Sequence, residues 1–432
     1  MMPNTTKTIG LAGAIAIGIG GMVGGGIFAV LGEAVSLSHG ATPLAFLFGG
    51  VIALMTAFSY ARLAVAFPGP GGTVIYIDSA FGNNLASGSV NLMLWLSYLV
   101  TIALYAVAFG AYAHTFFPLE SALLHHILIS LAIVLPTLIN LVSSAFVSRS
   151  ETFIVGMKLL LLALIILASI PDIDAAPLSP SHWGAFPTII AAGMIIFVAY
   201  EGFELIANAS ADIKTPERTL PRALIGSVLI VIVLYILIGV VTVSSVPETA
   251  LEKAKDYALA VAAEPALGHT GFILVAVAAL LATFSAINAT IYGNARLGYT
   301  LAKEGRLPEA FDKERRNEPF VGVLATMALG IVIANTINLT EIAIIGSAGF
   351  LLIFALVNAA ALKLARAIGS QPLLHLLALL LSAGALLVLL YHTWEENSAA
   401  VMIFAGFIAI SVLFELLYGR LVRGHFLDRA YH

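Results

Sequence analysis

The feature that most limits what this chain can fold into is a series of about twelve almost wholly apolar runs, each roughly twenty residues long. Coiled as a helix at 1.5 Å per residue, such a run matches the hydrocarbon thickness of a bilayer. Charged residues make up only 10 % of the chain, against roughly a quarter in soluble domains. The sequence therefore predicts an all-α, multi-pass membrane protein with about 12 transmembrane helices. The spans fall near 9–36, 41–67, 85–116, 122–142, 151–170, 184–211, 220–245, 267–301, 319–337, 341–365, 373–392 and 399–419. No linker separates soluble parts, so residues 1–432 read as a single membrane domain. "MMPNTTKT" leads into the first span with no cleavage signal, so no targeting segment is expected to be removed. Cysteine is absent, which excludes disulfides, thiolate metal sites and cysteine nucleophiles.

Charge placement gives the orientation. With the N-terminus inside, only Lys253 and Lys255 of the 20 lysines and arginines fall in an outer loop. That positive-inside asymmetry predicts a cell-membrane protein with both termini in the cytoplasm. The densest inner cluster, "AKEGRLPEAFDKERR" at 302–316, reads as a topology anchor without chemistry. Arg62 and Arg296, near inner helix ends, read the same way. The outer segment 247–266 has apolar residues at helical spacing, which predicts a short helix packed over the extracellular mouth.

Two spans are broken. The first carries Gly24, Gly25 and Gly26 near its middle, and the sixth, "GMIIFVAYEGFELIANASADI" at 193–213, carries Gly202 between two glutamates. Interrupted spans at matching places in two halves point to an inverted repeat with a binding site at the bilayer midplane. The halves would be about 9–170 and 184–365, with two extra helices at about 373–419. Irregular backbone survives at membrane depth only where protein or a water-filled cavity surrounds it. Unwinding at the three glycines would free three N–H donors at the positive end of a half-helix, a place suited to a carboxylate. Close packing does not require all three glycines, whereas Gly18, Gly20 and Gly21 read as a packing seam.

Glu201 and Glu204 are ionisable groups inside a span, where such residues are candidates for function. Glu204 has two readings, proton handling or capping of the second half-helix. Lys158, in "ETFIVGMKLLLLALIIL", lies roughly 10 Å above the inner end of span five near Ser150. That is more than a lysine stem comfortably spans by snorkelling, so a buried, functional ammonium is expected. The ten histidines form no H-x-x-x-H pair. No metal site, cofactor site or catalytic constellation is read, so an enzyme is not expected. Nor is a nucleic-acid partner or an obligate protein partner.

Three motifs carry a resemblance: "IGGMVGGGIF" (19–28), "AYEGFELIANASADIKTPERTLPRAL" (199–224) and "NATIYGNARLGYTLAKEGRLP" (288–308). Together they resemble the amino acid/polyamine/organocation (APC) transporter superfamily over essentially the whole chain. Within it the chain is most similar to proton-coupled amino acid transporters of the ApcT type, whose lysine on span five is matched by Lys158. The resemblance implies a LeuT-like five-plus-five inverted repeat with broken helices one and six and two C-terminal helices. It implies a carboxylate cradle at Gly24, Gly25 and Gly26, and carbonyls around Met22, Val198 and Glu201, beside Gly202, for the substrate's amino group. Phe197 and Phe203 would be apolar walls. Lys158 would stand where sodium-coupled relatives hold a cation between spans one, five and eight, near Gly20 and a hydroxyl such as Thr283 or Ser285. Glu204 matches an acidic position of several proton-dependent relatives. Gly25 stands where relatives often carry Ser or Ala, and Glu201 where ApcT-type relatives can carry an apolar residue.

The function implied is proton-coupled, sodium-independent uptake of amino acids across the cytoplasmic membrane, with amino acid, protons and the bilayer as partners. Alternatives are an amino acid exchanger, a polyamine or cationic amino acid transporter, and, in another class, a sensor that binds amino acids without transporting them.

Overall fold

The computed structural model describes residues 8–69, 71–118, 121–142, 144–315 and 318–422. In chain order the helices are α1 (Leu11–Met22), α2 (Gly26–Ser38), α3 (Thr42–Ala66), α4 (Thr73–Phe81), α5 (Leu85–His114) and α6 (Ala122–Val142). Then come α7 (Ser144–Ser169), α8 (Phe186–Ile195), α9 (Leu205–Asn208), α10 (Pro216–Ser245), α11 (Glu248–Lys253) and α12 (Ala258–Ala262). The last five are α13 (Glu264–Lys303), α14 (Phe320–Thr336), α15 (Leu339–Leu364), α16 (Pro372–Glu396) and α17 (Ser398–Leu421). One two-residue antiparallel pair, β1 (Glu314–Arg315) with β2 (Glu318–Pro319), interrupts them.

Among the described residues ten helices are long and apolar enough to cross a membrane, and α1 with α2, bent by 49°, form an eleventh span. The remaining expected span is α14, whose 17 residues sit at the lower limit for crossing. The fold is therefore the multi-pass helical bundle that the sequence predicts. Its outer surface is apolar where lipid would meet it. Leu373, Leu380 and Leu387 form an exposed stripe on α16, and Leu413, Leu417 and Leu421 another on α17. α5, α15 and the sixth span are the most enclosed.

Local chemistry sets the boundaries. Asn84 caps α5, its side chain accepting from the N–H groups of Ala86 and Ser87 while Ser87 returns a contact to the Asn84 N–H. α2 ends where His39 adopts a φ of 51°. Gly268, at φ 62° and ψ −164°, puts a kink near the start of α13.

The stretch between spans two and three, for which sequence reading raises no expectation, contains α4, which packs on α5 and α15. It escapes a search for spans because nine residues are too few to cross. One expectation changes: the basic cluster at 302–316, read as an anchor without chemistry, does more. Arg306 is buried and donates to Asp78 Oδ2 at 2.8 Å and Asn83 Oδ1 at 2.7 Å. Charge counting cannot reveal this, because the partner Asp78 lies 228 residues away in α4.

Candidate functional site

The two broken spans meet at their breaks. α1 stops at Met22 and α2 restarts at Gly26. Span six leaves α-geometry after Ile195, runs as a 3-10 turn to Tyr200 and resumes at Leu205. At the crossing, Gly21 and Gly202 touch backbone to backbone. A Cβ on Gly21 would lie 2.7 Å from Gly202 Cα, and Gly202 holds a φ of +119°. All of the irregular backbone is buried in protein, as lipid demands. Gly18 packs on Ile206 and Ser227.

The glycine triplet differs in detail from the expectation. The N–H of Gly24 is bonded to the Gly21 carbonyl at 3.2 Å, so it is not one of three free donors. Donors remain at the start of α2, whose first-turn N–H groups have no partner within their own helix. Each glycine is also needed for packing. A Cβ at Gly24 would press on Ala286 at 2.7 Å, one at Gly25 would enter the Tyr105 ring, and one at Gly26 would sit 2.6 Å from Ala199 Cα. Packing therefore requires Gly24 and Gly26, and Gly25 as long as the Tyr105 ring keeps its place, because spans three, six and eight converge on the break.

The carbonyls expected to receive an amino group also have protein partners. Tyr235 Oη, from α10, lies 2.7 Å from the Met22 oxygen and 3.1 Å from the Ala199 oxygen, so one hydroxyl joins both breaks. The Val198 oxygen accepts the Glu201 N–H at 3.2 Å. The Val198 N–H donates to Ser347 Oγ at 2.9 Å, which in turn donates to the Ile195 oxygen at 2.6 Å. Phe197 and Phe203 pack against Phe354 of α15, with ring centroids 5.9 and 5.2 Å apart.

Glu201 and Glu204 are both buried, and none of the ion pairs among the described residues includes either. Tyr105 Oη donates to Glu201 Oε2 at 3.2 Å, and Tyr98 Oη to Glu204 Oε1 at 3.4 Å. Glu204 occupies the N-cap position of α9, yet its side chain does not cap that helix. It reaches back to accept the Gly202 N–H at 2.8 Å, the positive φ of Gly202 turning the chain between them. The capping reading is thus replaced by a brace across the break.

Lys158 is only 2 % exposed, and its Nζ lies 3.5 Å from the Gly20 oxygen. Its helix α7 packs on both α1 and α13. Thr283 and Ser285 of α13 are buried, and the Thr283 hydroxyl donates within its own helix, to the Ala279 oxygen at 2.6 Å.

Sequence reading missed the tyrosines that hold these groups. Tyr98, Tyr105 and Tyr112 recur every seven residues on α5, which places them on one helix face. Tyr112 Oη meets the Phe28 oxygen at 3.4 Å. That spacing was the available signal. Tyr235 and Ser347 carry none.

The profile of the amino acid permease family matches residues 9–419. This chain belongs to that family. It is an APC-superfamily transporter, integral to the membrane, and its activity is amino acid transport. Inner membrane transport protein YbaT of Escherichia coli is 34 % identical to the permease, over 96 % of this chain and 97 % of that one. Cationic amino acid transporter 9 of Arabidopsis thaliana is 28 % identical over 71 % of this chain and 57 % of its own. The branched-chain amino acid permease BcaP of Lactococcus lactis is 27 % identical over 83 % and 82 %.

Proposed function

We propose that this permease imports amino acids together with protons and without sodium, across the cytoplasmic membrane, with both termini inside. The observation that carries the reading is Lys158, a buried lysine beside the Gly20 carbonyl on α7, the helix that packs on both α1 and α13. The resemblance puts a sodium ion there in sodium-coupled relatives, and a protonated lysine supplies the same single positive charge. Spans one to five and six to ten act as inverted repeats, a reading supported by the breaks in spans one and six. The substrate carboxylate is received at Gly25 and Gly26, where α2 presents its positive end. The corresponding donor at Gly202 is already taken by Glu204. Substrate entry requires the Tyr105 ring to move from Gly25.

The test is uptake of a labelled amino acid panel into proteoliposomes. Uptake should follow an inward proton gradient and be indifferent to replacement of sodium by choline. A strict sodium requirement would overturn the proposal. Retention of label inside the vesicles, released by an ionophore, separates transport from binding by a sensor. Homo-exchange that ignores the proton gradient would favour an exchanger.

Glu201 bears on the substrate's side chain. Its buried carboxyl has no cationic partner among the ion pairs of the described residues, and Tyr105 Oη donates to its Oε2 at 3.2 Å. A cationic side chain could answer that carboxyl through a charge-assisted bond. We expect Glu201→Gln to weaken competition by lysine, arginine and ornithine severalfold more than competition by alanine. An equal loss for both groups would assign Glu201 to structure or proton carriage.

A further inference from the structure

Glu33 sits on α2, the half of span one that leads from the break toward α11 and α12. It is buried, with side-chain exposure of 9 %, and is ion-paired with Lys255, the residue that follows α11 by two positions. Thr340, in the first turn of α15, donates to Glu33 Oε2 at 2.9 Å and lies 3.4 Å from Lys255 Nζ. The backbone around Lys255 rests directly on Gly32, leaving no room for a Cβ there. One ion pair thus ties three elements together: the outer half of span one, the 247–263 segment and span ten. A small cavity lined by Ala29, Val30 and Ala343 lies against this triad.

We infer that Glu33, Lys255 and Thr340 form a latch that closes the outer path to the binding site, and that Lys255 is its removable bolt. The inference rests on the orientation proposed above. A fully exposed ion pair contributes little and is screened by salt. Here the carboxylate is enclosed and the ammonium reaches in from the half-exposed side, so withdrawing Lys255 leaves Glu33 buried without its cation. Carrying Glu33 outward into water relieves that cost, and the same movement of α2 opens the path.

Asp256, next to Lys255 and lining the same small cavity as Glu33 and Thr340, makes the latch sensitive to outside pH. Burial holds its carboxyl above the usual carboxylate range, against the opposing pull of Lys255 and His125. The groups facing this region are Glu33 from α2, Tyr112 and His114 from α5, and His125 and His126 from α6. From α15 come Thr340 and Glu341. An acid with a raised folded value is neutral at milder acidity than an exposed one. When Asp256 loses its charge as the outside acidifies, Glu33 loses a repelling neighbour and Lys255 loses a competing one. The latch tightens, which favours closure on the side that supplies protons.

The natural absence of cysteine makes a direct test simple. A thiol introduced by Ala343→Cys reports opening beneath the latch, and one introduced by Ser181→Cys reports the exposed outer loop. A membrane-impermeant maleimide is applied to intact cells. The ratio of labelling rates removes differences in reagent exposure, and the Asp256→Asn protein carrying the same two thiols controls for their own ionisation. Glu33→Gln or Lys255→Met should raise the 343/181 ratio at least tenfold. The exchanged pair Glu33→Lys with Lys255→Glu should return it toward the starting value, which a folding defect would not do. In the otherwise unaltered protein the ratio should fall between pH 7.5 and 5.5, and Asp256→Asn should make it low and flat. Unchanged ratios in both neutralised variants, or an exchanged pair as open as the single variants, would overturn the latch. A pH-independent ratio without Asp256→Asn would remove Asp256 from it. Failure of the thiol at 181 to label from outside would overturn the orientation instead.

Discussion

Lys158→Ala is expected to reduce proton-driven uptake to the background of empty proteoliposomes while substrate binding in detergent persists. The ammonium has three donors and lies enclosed at 3.5 Å from the Gly20 oxygen, on a helix that touches both α1 and α13. Protonated, it can bridge these helices with charge-assisted bonds. Deprotonated, it loses them, and on the proposed reading α1 is then released from span five, which links a proton taken up on one side and given up on the other to movement of the half-helix. The start of α2, where the carboxylate is proposed to bind, does not depend on Lys158, so binding should survive. Lys158→Gln sharpens the result, because it keeps donors but cannot titrate. It should bind substrate and exchange it, yet fail to concentrate it. Proton-driven accumulation that survives in either variant would exclude Lys158 from coupling.

Gly202→Ala is expected to abolish uptake and to lower the melting temperature in detergent, with Gly25→Ala markedly milder. At Gly202 two costs coincide. Its φ of +119° is one that L-residues adopt rarely, and a Cβ there would lie 2.5 to 2.7 Å from the backbone of Gly21 and Met22. Strained φ costs about 1–3 kcal/mol, and overpacking adds roughly 1–3 kcal/mol. Neither can relax locally, because the obstructing atoms are backbone of the other broken span. At Gly25 the obstruction is the Tyr105 ring, a side chain that can turn away. Thermal unfolding followed by tryptophan fluorescence, alongside uptake, checks the order. Equal tolerance at the two positions would mean that the spans do not meet at Gly21 and Gly202.

Much of the architecture was legible because lipid imposes a strict length and polarity rule on each span. The run lengths predicted the spans, and Gly24–Gly26 and Gly202 marked both interruptions, since helices in a bilayer rarely expose backbone. Lys158 and the two glutamates stood out for the same reason: charge in an apolar run is conspicuous. α14 matched its expected place although it is short. The two-turn repeat on α5 also carried the tyrosine face at positions 98, 105 and 112, but polar aromatics in a span draw little notice beside charges.

What the sequence determined by itself was which segments cross, where two of them break, and which ionisable groups are carried into the membrane. Those follow from the free energy of transferring each residue out of water, which is a property of the local chain. What only the tertiary structure decided was who answers each freed group. Tyr235 on α10 meets the carbonyls of Met22 and Ala199, Glu204 turns back to Gly202, Arg306 finds Asp78, and Lys255 closes on Glu33. Apart from Glu204 and Gly202, these partners lie far apart in sequence, and hydrogen bonds are short and directional. Their pairing is fixed by how the helices pack, which no local pattern encodes.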